Sequence, residues 1–199
     1  MCTASPDSLA EKNARLNRLC DFIFEAGMLR RTPRSGYQFL GSGRENVAEH
    51  SFRCALIGLV LAELAELAEP SRNRLVALCL IHDFHEARTG DLNYVNKVYA
   101  SLNVPQALQD ALAGTGLEGV ILPLQNELDA VESPESRLAH DADQLDLIFN
   151  LREEEALGNP QAALWLDAVE KRLRTPEARA LAAAARKRDH TRWWKGTQM

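Results

Sequence analysis

The chain has 199 residues, of which 46% are hydrophobic, and a formal net charge of −5 at pH 7. This length fits one compact domain with a sizeable core, and the even mixture of apolar and charged residues excludes a disordered or fibrous protein. Acidic and basic residues alternate along the whole sequence, so the composition argues against polymeric nucleic acid as a partner.

The cysteines and the apolar runs indicate a cellular compartment. The four cysteines, at positions 2, 20, 54 and 79, form neither a CxxC pair nor a regular framework, which is typical of reduced thiols. The N-terminus has no basic leader followed by an apolar run, and the longest apolar stretch, residues 54–62, is too short to span a bilayer. We therefore expect a cytoplasmic protein without a membrane segment.

The first half of the sequence predicts three helices. A capping box at Ser8–Glu11, followed by apolar residues at helical spacing, predicts a first helix that ends near Gly27. Residues 29–44 are basic and glycine-containing, which predicts a structured loop. A second helix is expected from Glu45–Asn46 to just before Pro70, and a third from Ser71 to about Arg88.

The second half also has a helical pattern. Residues 91–131 are interrupted by proline and glycine and give no clear boundaries, whereas Ser133–Pro134, Asn159–Pro160 and Thr175–Pro176 are strong helix starts with proline at the first helical position. No segment alternates as a strand does. We expect an all-α helical bundle in which residues 1–199 form one domain. Its core would be about residues 30–155, and the C-terminal helices of residues 159–199 would pack on that core or at a dimer interface.

Four ionisable residues follow an apolar run within residues 77–86: His82, Asp83, His85 and Glu86. Burying them requires compensation, and a metal ion satisfies an adjacent histidine and aspartate at once. In a continuous helix His82 and Glu86 would share one face, with Asp83 about 100° around the axis.

Two further residues are expected to face the same interior. His50 lies on the apolar stripe of the second helix, and Asp143 stands among leucines and alanines of a later helix. His50, His82, Asp83 and Asp143 together form a nitrogen and oxygen donor set that suits one octahedral divalent ion, Mn, Fe, Co, Ni or Mg, better than closed tetrahedral zinc. Such an ion activates water and polarises a phosphoryl oxygen, and Glu86 would accept the proton of that water.

The pattern His50, His82–Asp83, Asp143 resembles the H…HD…D signature of the HD-domain metal-dependent phosphohydrolases, an all-α superfamily. Residues 45–51, 82–91 and 143–155 are similar to its 5'-deoxynucleotidase branch, including the HD-domain-containing family 2 members, and the likeness covers about residues 30–155. It implies a hydrolase that releases phosphate from nucleoside 5'-monophosphates, a small-molecule nucleotide as partner, and a homodimer.

The resemblance also implies roles for single residues. Arg34 would grip the substrate phosphate in a bidentate manner. Tyr37 stands where the family usually has a tryptophan beside the sugar, so a strict preference for deoxyribose is not implied. Glu86 would orient the attacking water, and Asp91 would contact the substrate or the leaving group. His140 stands where relatives often have lysine, and it receives no role.

Other functions remain open at this stage. The chain could be another HD nucleotide hydrolase, acting on a dNTP or on an alarmone, although alarmone hydrolases usually have an acidic pair where this chain has Glu86–Ala87. A second metal held by His85 and His140, as in the di-iron oxygenases, is disfavoured by a total of only five histidines. The chain could also be a non-catalytic nucleotide-binding dimer. His82–Asp83 alone could be an ion pair at a helix end.

Overall fold

The computed structural model describes residues 6–195, with side chains from residue 9 onward. This part of the chain is helical and contains no strand, only an isolated antiparallel bridge between Pro33 and Asn46. The all-α prediction is confirmed. The helices are α1 (Pro6–Ala26), α2 (Tyr37–Leu40), α3 (Val47–Leu64), α4 (Glu69–Ile81), α5 (Glu86–Thr89), α6 (Asn96–Tyr99), α7 (Val104–Leu112), α8 (Glu118–Ala130), α9 (Pro134–Ala156), α10 (Pro160–Glu170), α11 (Pro176–Arg186) and α12 (Arg192–Lys195), with a 3₁₀ helix at Gly27–Arg31.

The helix α9 forms the centre of the bundle and packs against α3, α4, α8, α10 and α11. Its inward residues Leu145, Ile148 and Leu151 have no exposed surface, and burial of each such side chain stabilises the fold by about 1.5–3 kcal/mol. The C-terminal helices α10 and α11 pack against α9, and the predicted division of the chain into a core and C-terminal helices stays a prediction. Residues 196–199 of that predicted segment lie outside the described residues.

The three helix starts predicted in the second half are confirmed, and each has a side-chain cap. The side chains of Ser133, Asn159 and Thr175 accept hydrogen bonds from backbone N–H groups in the first turns of α9, α10 and α11. Each cap pairs an amide that the helix itself leaves unpaired, which contributes about 1 kcal/mol. None of the helices in residues 6–195 combines the length and the apolar character needed to cross a membrane.

Several helix boundaries in the first half differ from the prediction. The first helix is already present at Pro6, the first residue that the structure describes, so the expected capping box at residues 8–11 lies inside it. The second ends at Leu64, because Glu66 adopts a positive φ of 51° and the amide of Leu67 donates to the carbonyl of Ala62 at 2.9 Å. These bonds form a Schellman motif that closes α3 well before Pro70. The expected loop of residues 29–44 contains the short helix α2.

Candidate metal and phosphate site

His50 is fixed at the start of α3 by the cap of that helix. Asn46 accepts a hydrogen bond from the amide of Glu49 at 3.0 Å, and the Glu49 side chain accepts one from the amide of Asn46 at 3.0 Å. This capping box sets the first turn of α3. The turn faces α9, so the side chain of His50 is fully buried.

His82 and Asp83 lie just beyond the C-terminal end of α4. The prediction of one helix up to Arg88 is wrong, because α4 ends at Ile81 and a new turn begins at Glu86. Nδ1 of His82 contacts the carbonyl oxygen of Cys79 at 2.8 Å, and that carbonyl would otherwise accept the next helical amide. The turn that follows presents His82 and Asp83 to α3 and α9.

The structure brings the four predicted ligands together at one point. Nε2 of His50 lies 3.1 Å from Nε2 of His82, 3.5 Å from Oδ2 of Asp83 and 3.2 Å from Oδ1 of Asp143. Nε2 of His82 lies 3.1 Å from Oδ2 of Asp83. Neighbouring donors around an octahedral ion with bonds of about 2.1 Å are separated by about 3 Å. The spacing of these atoms therefore suits a single cation.

The tautomers of both histidines follow from their second contacts. Nδ1 of His50 lies 2.7 Å from Oδ2 of Asp146, and Nδ1 of His82 lies against the Cys79 carbonyl. Because both acceptors require a proton on Nδ1, the neutral ring of either histidine turns the lone pair of Nε2 toward the other ring and toward two carboxylates. Four electron-rich atoms that face one another are stabilised by a cation, so this donor set fits a divalent metal.

The protonation of these groups reflects the same arrangement. Burial lowers the pKa of His50, but hydrogen bonds to Asp143, Asp146 and Asp83 outweigh it and raise this pKa well above its ordinary value. Burial raises the pKa of Asp143, but the hydrogen bond to His50 and the nearby positive charges lower it strongly. Positive charge is thus favoured at the point where the four side chains meet.

Cys54 lies beside the cluster, one turn after His50, with Sγ 3.6 Å from the His50 ring nitrogens. Its Sγ also belongs, with His50, His82 and Asp143, to a group of potential ligand atoms that lie within 4.8 Å of one another. The sulfur is equally far from both ring nitrogens of His50, however, and the thiol donates to the carbonyl oxygen of Ala142 at 3.8 Å, so it stands against the imidazole ring. We therefore assign Cys54 to the packing behind His50.

Behind His50 lies a buried network of side chains that was not predicted from the sequence. Asp146 contacts His50 and accepts a hydrogen bond from Nε of Arg53. Arg53 also lies 3.4 Å from Glu45, which accepts a hydrogen bond from Asn150 at 3.0 Å. Arg53 stands three residues after His50, and Asp146 stands three residues after Asp143. Residues spaced i, i+3 lie on the same face of a helix, so this spacing could have placed Arg53 and Asp146 next to the predicted ligands.

Arg34 reaches the cluster from the loop before α3. Its amide donates to the carbonyl of Glu45 at 2.9 Å, which ties the loop to the helix start. Its guanidinium lies 3.2 Å from Asp83 and 3.7 Å from Asp143, and these two carboxylates help to raise its pKa against the opposing effect of burial. Tyr37 lies nearby and donates a hydrogen bond to Glu45 at 3.4 Å.

Glu86 and Asp91 complete this side of the site. Burial, followed by the charges of Asp83 and Asp91, raises the pKa of Glu86 to about 9, and Oε2 of Glu86 is buried without a hydrogen-bond partner. Gly90 has a φ of 70°, which favours glycine and turns the chain back. Asp91 then accepts a hydrogen bond from the amide of Ser35 at 2.6 Å, so it holds the loop that carries Arg34.

The other two histidines considered for a second metal have different surroundings. Nε2 of His140 lies 3.1 Å from the carbonyl oxygen of Leu128 and joins α9 to α8. Nδ1 of His85 is buried without a hydrogen-bond partner, and burial lowers the pKa of this residue. Within the described residues, the clusters of potential ligands include neither histidine. The structure therefore does not support the two-metal alternative.

A cavity of about 650 Å³ opens beside the cluster, which is the size expected for a small-molecule site. Arg34, Asp83, Glu86, Asp91 and Asp143 line it. Tyr37 and Glu45 also line it, as do residues of α9 and α10. The sequence-predicted substrate and catalytic residues thus share one cavity with two of the predicted ligands.

Comparison with known proteins agrees with this architecture. Residues 26–185 match the family model described as an HD domain, which is well over half of the chain. The chain belongs to the HD-domain superfamily of metal-dependent phosphohydrolases. One relative of this HD-domain protein is the 5'-deoxynucleotidase HDDC2 of Danio rerio, which is 27% identical over 152 residues that cover 73% of this chain and 74% of the relative.

Solved structures share the same fold. One solved crystal structure is of a protein described only as a genomics target. That protein is 30% identical in sequence, and its structure matches with a TM-score of 0.72 over 89% of this HD-domain protein and 99% of the matched chain. A protein described as a predicted metal-dependent phosphohydrolase from Magnetospirillum magnetotacticum MS-1 is 26% identical, with a TM-score of 0.62 and coverage of 87% and 90%.

Proposed function

We propose that this HD-domain protein is a metal-dependent phosphomonoesterase that releases phosphate from nucleoside or deoxynucleoside 5'-monophosphates. In this proposal His50, His82, Asp83 and Asp143 hold one divalent cation. The observation that carries it is the convergence of two imidazoles and two carboxylates, in which Nε2 of His50 lies 3.1–3.5 Å from a donor atom of each of the other three residues, beside a cavity that an arginine also lines. The name of the Danio rerio relative supports the choice of substrate.

The bound cation would supply Lewis acidity, which lowers the pKa of water and polarises a phosphoryl oxygen. The chain itself supplies the remaining functions. Glu86 would accept the proton of the attacking water, because its buried carboxyl has an oxygen without a partner inside the protein. In the metal-free protein, burial and the charges of Asp83 and Asp91 raise the pKa of Glu86 to about 9 and keep its carboxyl protonated. The positive charge of a bound cation would lower this pKa, so that the Glu86 carboxylate could accept the proton.

Arg34 would bind the phosphate. Its planar guanidinium can donate two parallel hydrogen bonds to phosphate oxygens and neutralise their charge. In the absence of substrate, the guanidinium of Arg34 is held in position by Asp83 and Asp143. Asp91 would contact the substrate or the leaving group while it fixes the loop through the amide of Ser35. Tyr37 would lie beside the sugar, with its hydroxyl held by Glu45.

The test is a phosphate-release panel over 5'- and 3'-mononucleotides with added Mg, Mn or Co. We expect release from 5'-monophosphates in the parent protein and loss of turnover in Asp83→Ala. Arg34→Ala should mainly raise KM, by roughly 10- to 100-fold for one lost charge-assisted pair. Arg30→Ala is the matched control, because Arg30 is an exposed arginine of the preceding 3₁₀ helix that contacts only its own backbone turn in the described structure.

The same panel separates the other functions. Release of inorganic pyrophosphate or triphosphate from dNTPs or alarmones, with no action on monophosphates, would assign the site to another HD hydrolase reaction. Nucleotide binding without any phosphate release would indicate a non-catalytic nucleotide-binding protein. Either result contradicts the proposed phosphomonoesterase.

A further inference from the structure

Part of the cavity lining comes from α10 and the turn that follows it. Trp165, Ala168 and Val169 line the cavity from α10, where their spacing of i, i+3 and i+4 places them on one face of the helix. Arg172 lines the cavity from the turn after α10, and its amide donates to the carbonyl oxygen of Val169 at 2.9 Å. We call these four residues the α10 face. None of the roles proposed for the metal ligands, for Arg34 or for Glu86 involves this face.

Trp165 gives the face an aromatic surface. It is half-buried and packs against the hydrophobic core on one side, while the same side chain lines the cavity. Leu147, one turn after the proposed ligand Asp143, lines the cavity beside it. An aromatic ring held by a core and open to a cavity offers a flat stacking surface for a planar base.

Arg172 gives the face a set of hydrogen-bond donors. Its Nη1 donates to Oε1 of Gln144 at 3.4 Å, and Nε2 of Gln144 donates to Oδ2 of Asp143 at 2.8 Å. One amide side chain therefore joins Arg172 to the proposed metal cluster and sets its distance from the phosphate end. A guanidinium has only donors, and its fork matches a base edge with two acceptors, such as O6 and N7 of guanine.

We propose that the α10 face is the nucleobase subsite, in which Trp165 stacks on the base and Arg172 donates to an oxo-bearing edge. The subsite favours guanine over adenine, because adenine presents an amino group where guanine presents O6. This inference rests on the proposed phosphomonoesterase function. It concerns the base of the nucleotide, whereas the metal ligands and Arg34 would bind its phosphate.

The first test compares substrates with and without a base. Trp165→Leu keeps an apolar side chain against the core and removes the stacking surface. We expect its KM for 5'-mononucleotides to rise roughly tenfold, the size of one lost base–aromatic stack, with unchanged turnover of deoxyribose 5-phosphate. Trp193→Leu is the matched control, since Trp193 is 78% exposed and does not line the cavity, and it should behave as the parent protein.

The second test concerns the choice of base. The parent protein should have a higher kcat/KM for GMP than for AMP, and Arg172→Ala should reduce that ratio roughly tenfold, the discrimination of one bidentate arginine–guanine pair. Lys171→Ala removes the neighbouring exposed positive charge, which does not line the cavity, and should leave the ratio unchanged. Binding of guanosine, followed by quenching of tryptophan fluorescence, should be lost in Trp165→Leu and retained in Trp193→Leu.

The outcomes keep the two proposals apart. If no phosphate is released from nucleotides or from deoxyribose 5-phosphate, the proposed function fails. If deoxyribose 5-phosphate and nucleotides are both hydrolysed and Trp165→Leu affects them equally, the α10 subsite is wrong while the hydrolase stands. An unchanged GMP to AMP ratio in Arg172→Ala would remove the role of Arg172 in base selection.

Discussion

Asp146 decides which nitrogen of His50 faces the cluster. Its carboxylate lies 2.7 Å from Nδ1 of His50 and is balanced by Arg53. A carboxylate in this position increases the basicity of the opposite ring nitrogen and fixes the ring orientation. At the scale of single residues, the affinity for the proposed cation would therefore depend on groups outside the proposed ligand set.

Asp146→Asn should weaken binding of Mn or Co by about 10- to 100-fold, because the neutral amide no longer strengthens His50 as a donor. Titration calorimetry on metal-free protein measures this directly. Asp141→Asn is the matched control on the same helix, since Asp141 is also buried but accepts the amides of Arg174 and Thr175 instead. It should lower stability and leave the metal affinity intact. Parent-like affinity in Asp146→Asn would contradict the orienting role.

Glu86 makes stability depend on pH in the metal-free protein. Its pKa is about 9 in the fold against a usual value of 4.5, so between these values the folded state holds a proton that the unfolded state has released. Stability then falls as pH rises, by at most about 1.4 kcal/mol per pH unit. Glu86→Gln cannot titrate, so its melting temperature relative to the parent should increase from pH 5 to pH 8 in a chelator.

Thermal unfolding of both proteins at the two pH values checks this expectation. Asp129→Asn, a change at an acidic residue of α8 that bonds Gln125, provides the control for the loss of one negative charge. A constant difference in melting temperature between Glu86→Gln and the parent would show that Glu86 is ionised throughout this range.

Residue chemistry was largely readable from the sequence, because His50, His82, Asp83 and Asp143 stand in short segments where ionisable groups interrupt apolar patterns. The structure brings all four side chains together. Their role as metal ligands stays a prediction. The contact of His50 with Asp146 was harder to predict. These two residues are 96 positions apart, and no local sequence pattern indicates a pair so distant in the chain.

At the scale of helices, the close approach of α3 and α4 depends on Gly58. A Cβ atom at this position would lie 2.9 Å from Sγ of Cys79 and 3.6 Å from Cγ of Leu75. The missing side chain thus allows the two helices that carry His50 and the His82–Asp83 turn to pack tightly. Alanine would gain about 1 kcal/mol in helix propensity and lose about 1–3 kcal/mol by overpacking.

Gly58→Ala should therefore lower the free energy of unfolding in the parent protein, and denaturant titration measures the change. Combined with Cys79→Ala, which removes the sulfur that the new methyl group meets, the same substitution should become stabilising. The sign reversal between the two backgrounds is the decisive result. If Gly58→Ala had the same effect in the parent and in the Cys79→Ala background, α3 and α4 would be able to move apart at Gly58 without cost.

Helix starts could be predicted better than helix ends. The starts of α9, α10 and α11 have a polar cap and a proline next to each other in the sequence. The ends of α3 and α4 have no such local marker. The first ends at a glutamate with positive φ, and the second ends where the imidazole of His82 meets the Cys79 carbonyl. Both depend on tertiary contacts that a sequence pattern does not contain.

At the scale of the whole molecule, the proposed cation would join three helical segments. The ligands come from α3, from the turn after α4 and from α9, the three elements at the centre of the bundle. A ligand that binds only the folded state adds about 2.7 kcal/mol of stability at a free concentration of 100 times its Kd. The homodimer and the cytoplasmic location implied by the sequence stay predictions at this scale.

Saturating Mn or Co should raise the melting temperature by roughly 5–10 °C, since about 1 kcal/mol corresponds to about 2–4 °C in a domain of this size. Differential scanning calorimetry with and without a chelator measures the shift. Asp83→Ala should abolish it, and Asp110→Ala, at an acidic residue of α7, should preserve it. A shift of equal size in Asp83→Ala would place the bound cation elsewhere on the protein.

The order of the ligand-bearing segments along the chain has a consequence for biosynthesis. His50 and the His82–Asp83 pair are translated well before Asp143, and the aspartate that orients His50 comes three residues later still. A growing polypeptide has no complete set of donors until α9 has left the ribosome and docked between its neighbours. With the proposed ligand set, loading with the cation would therefore be a late event in folding.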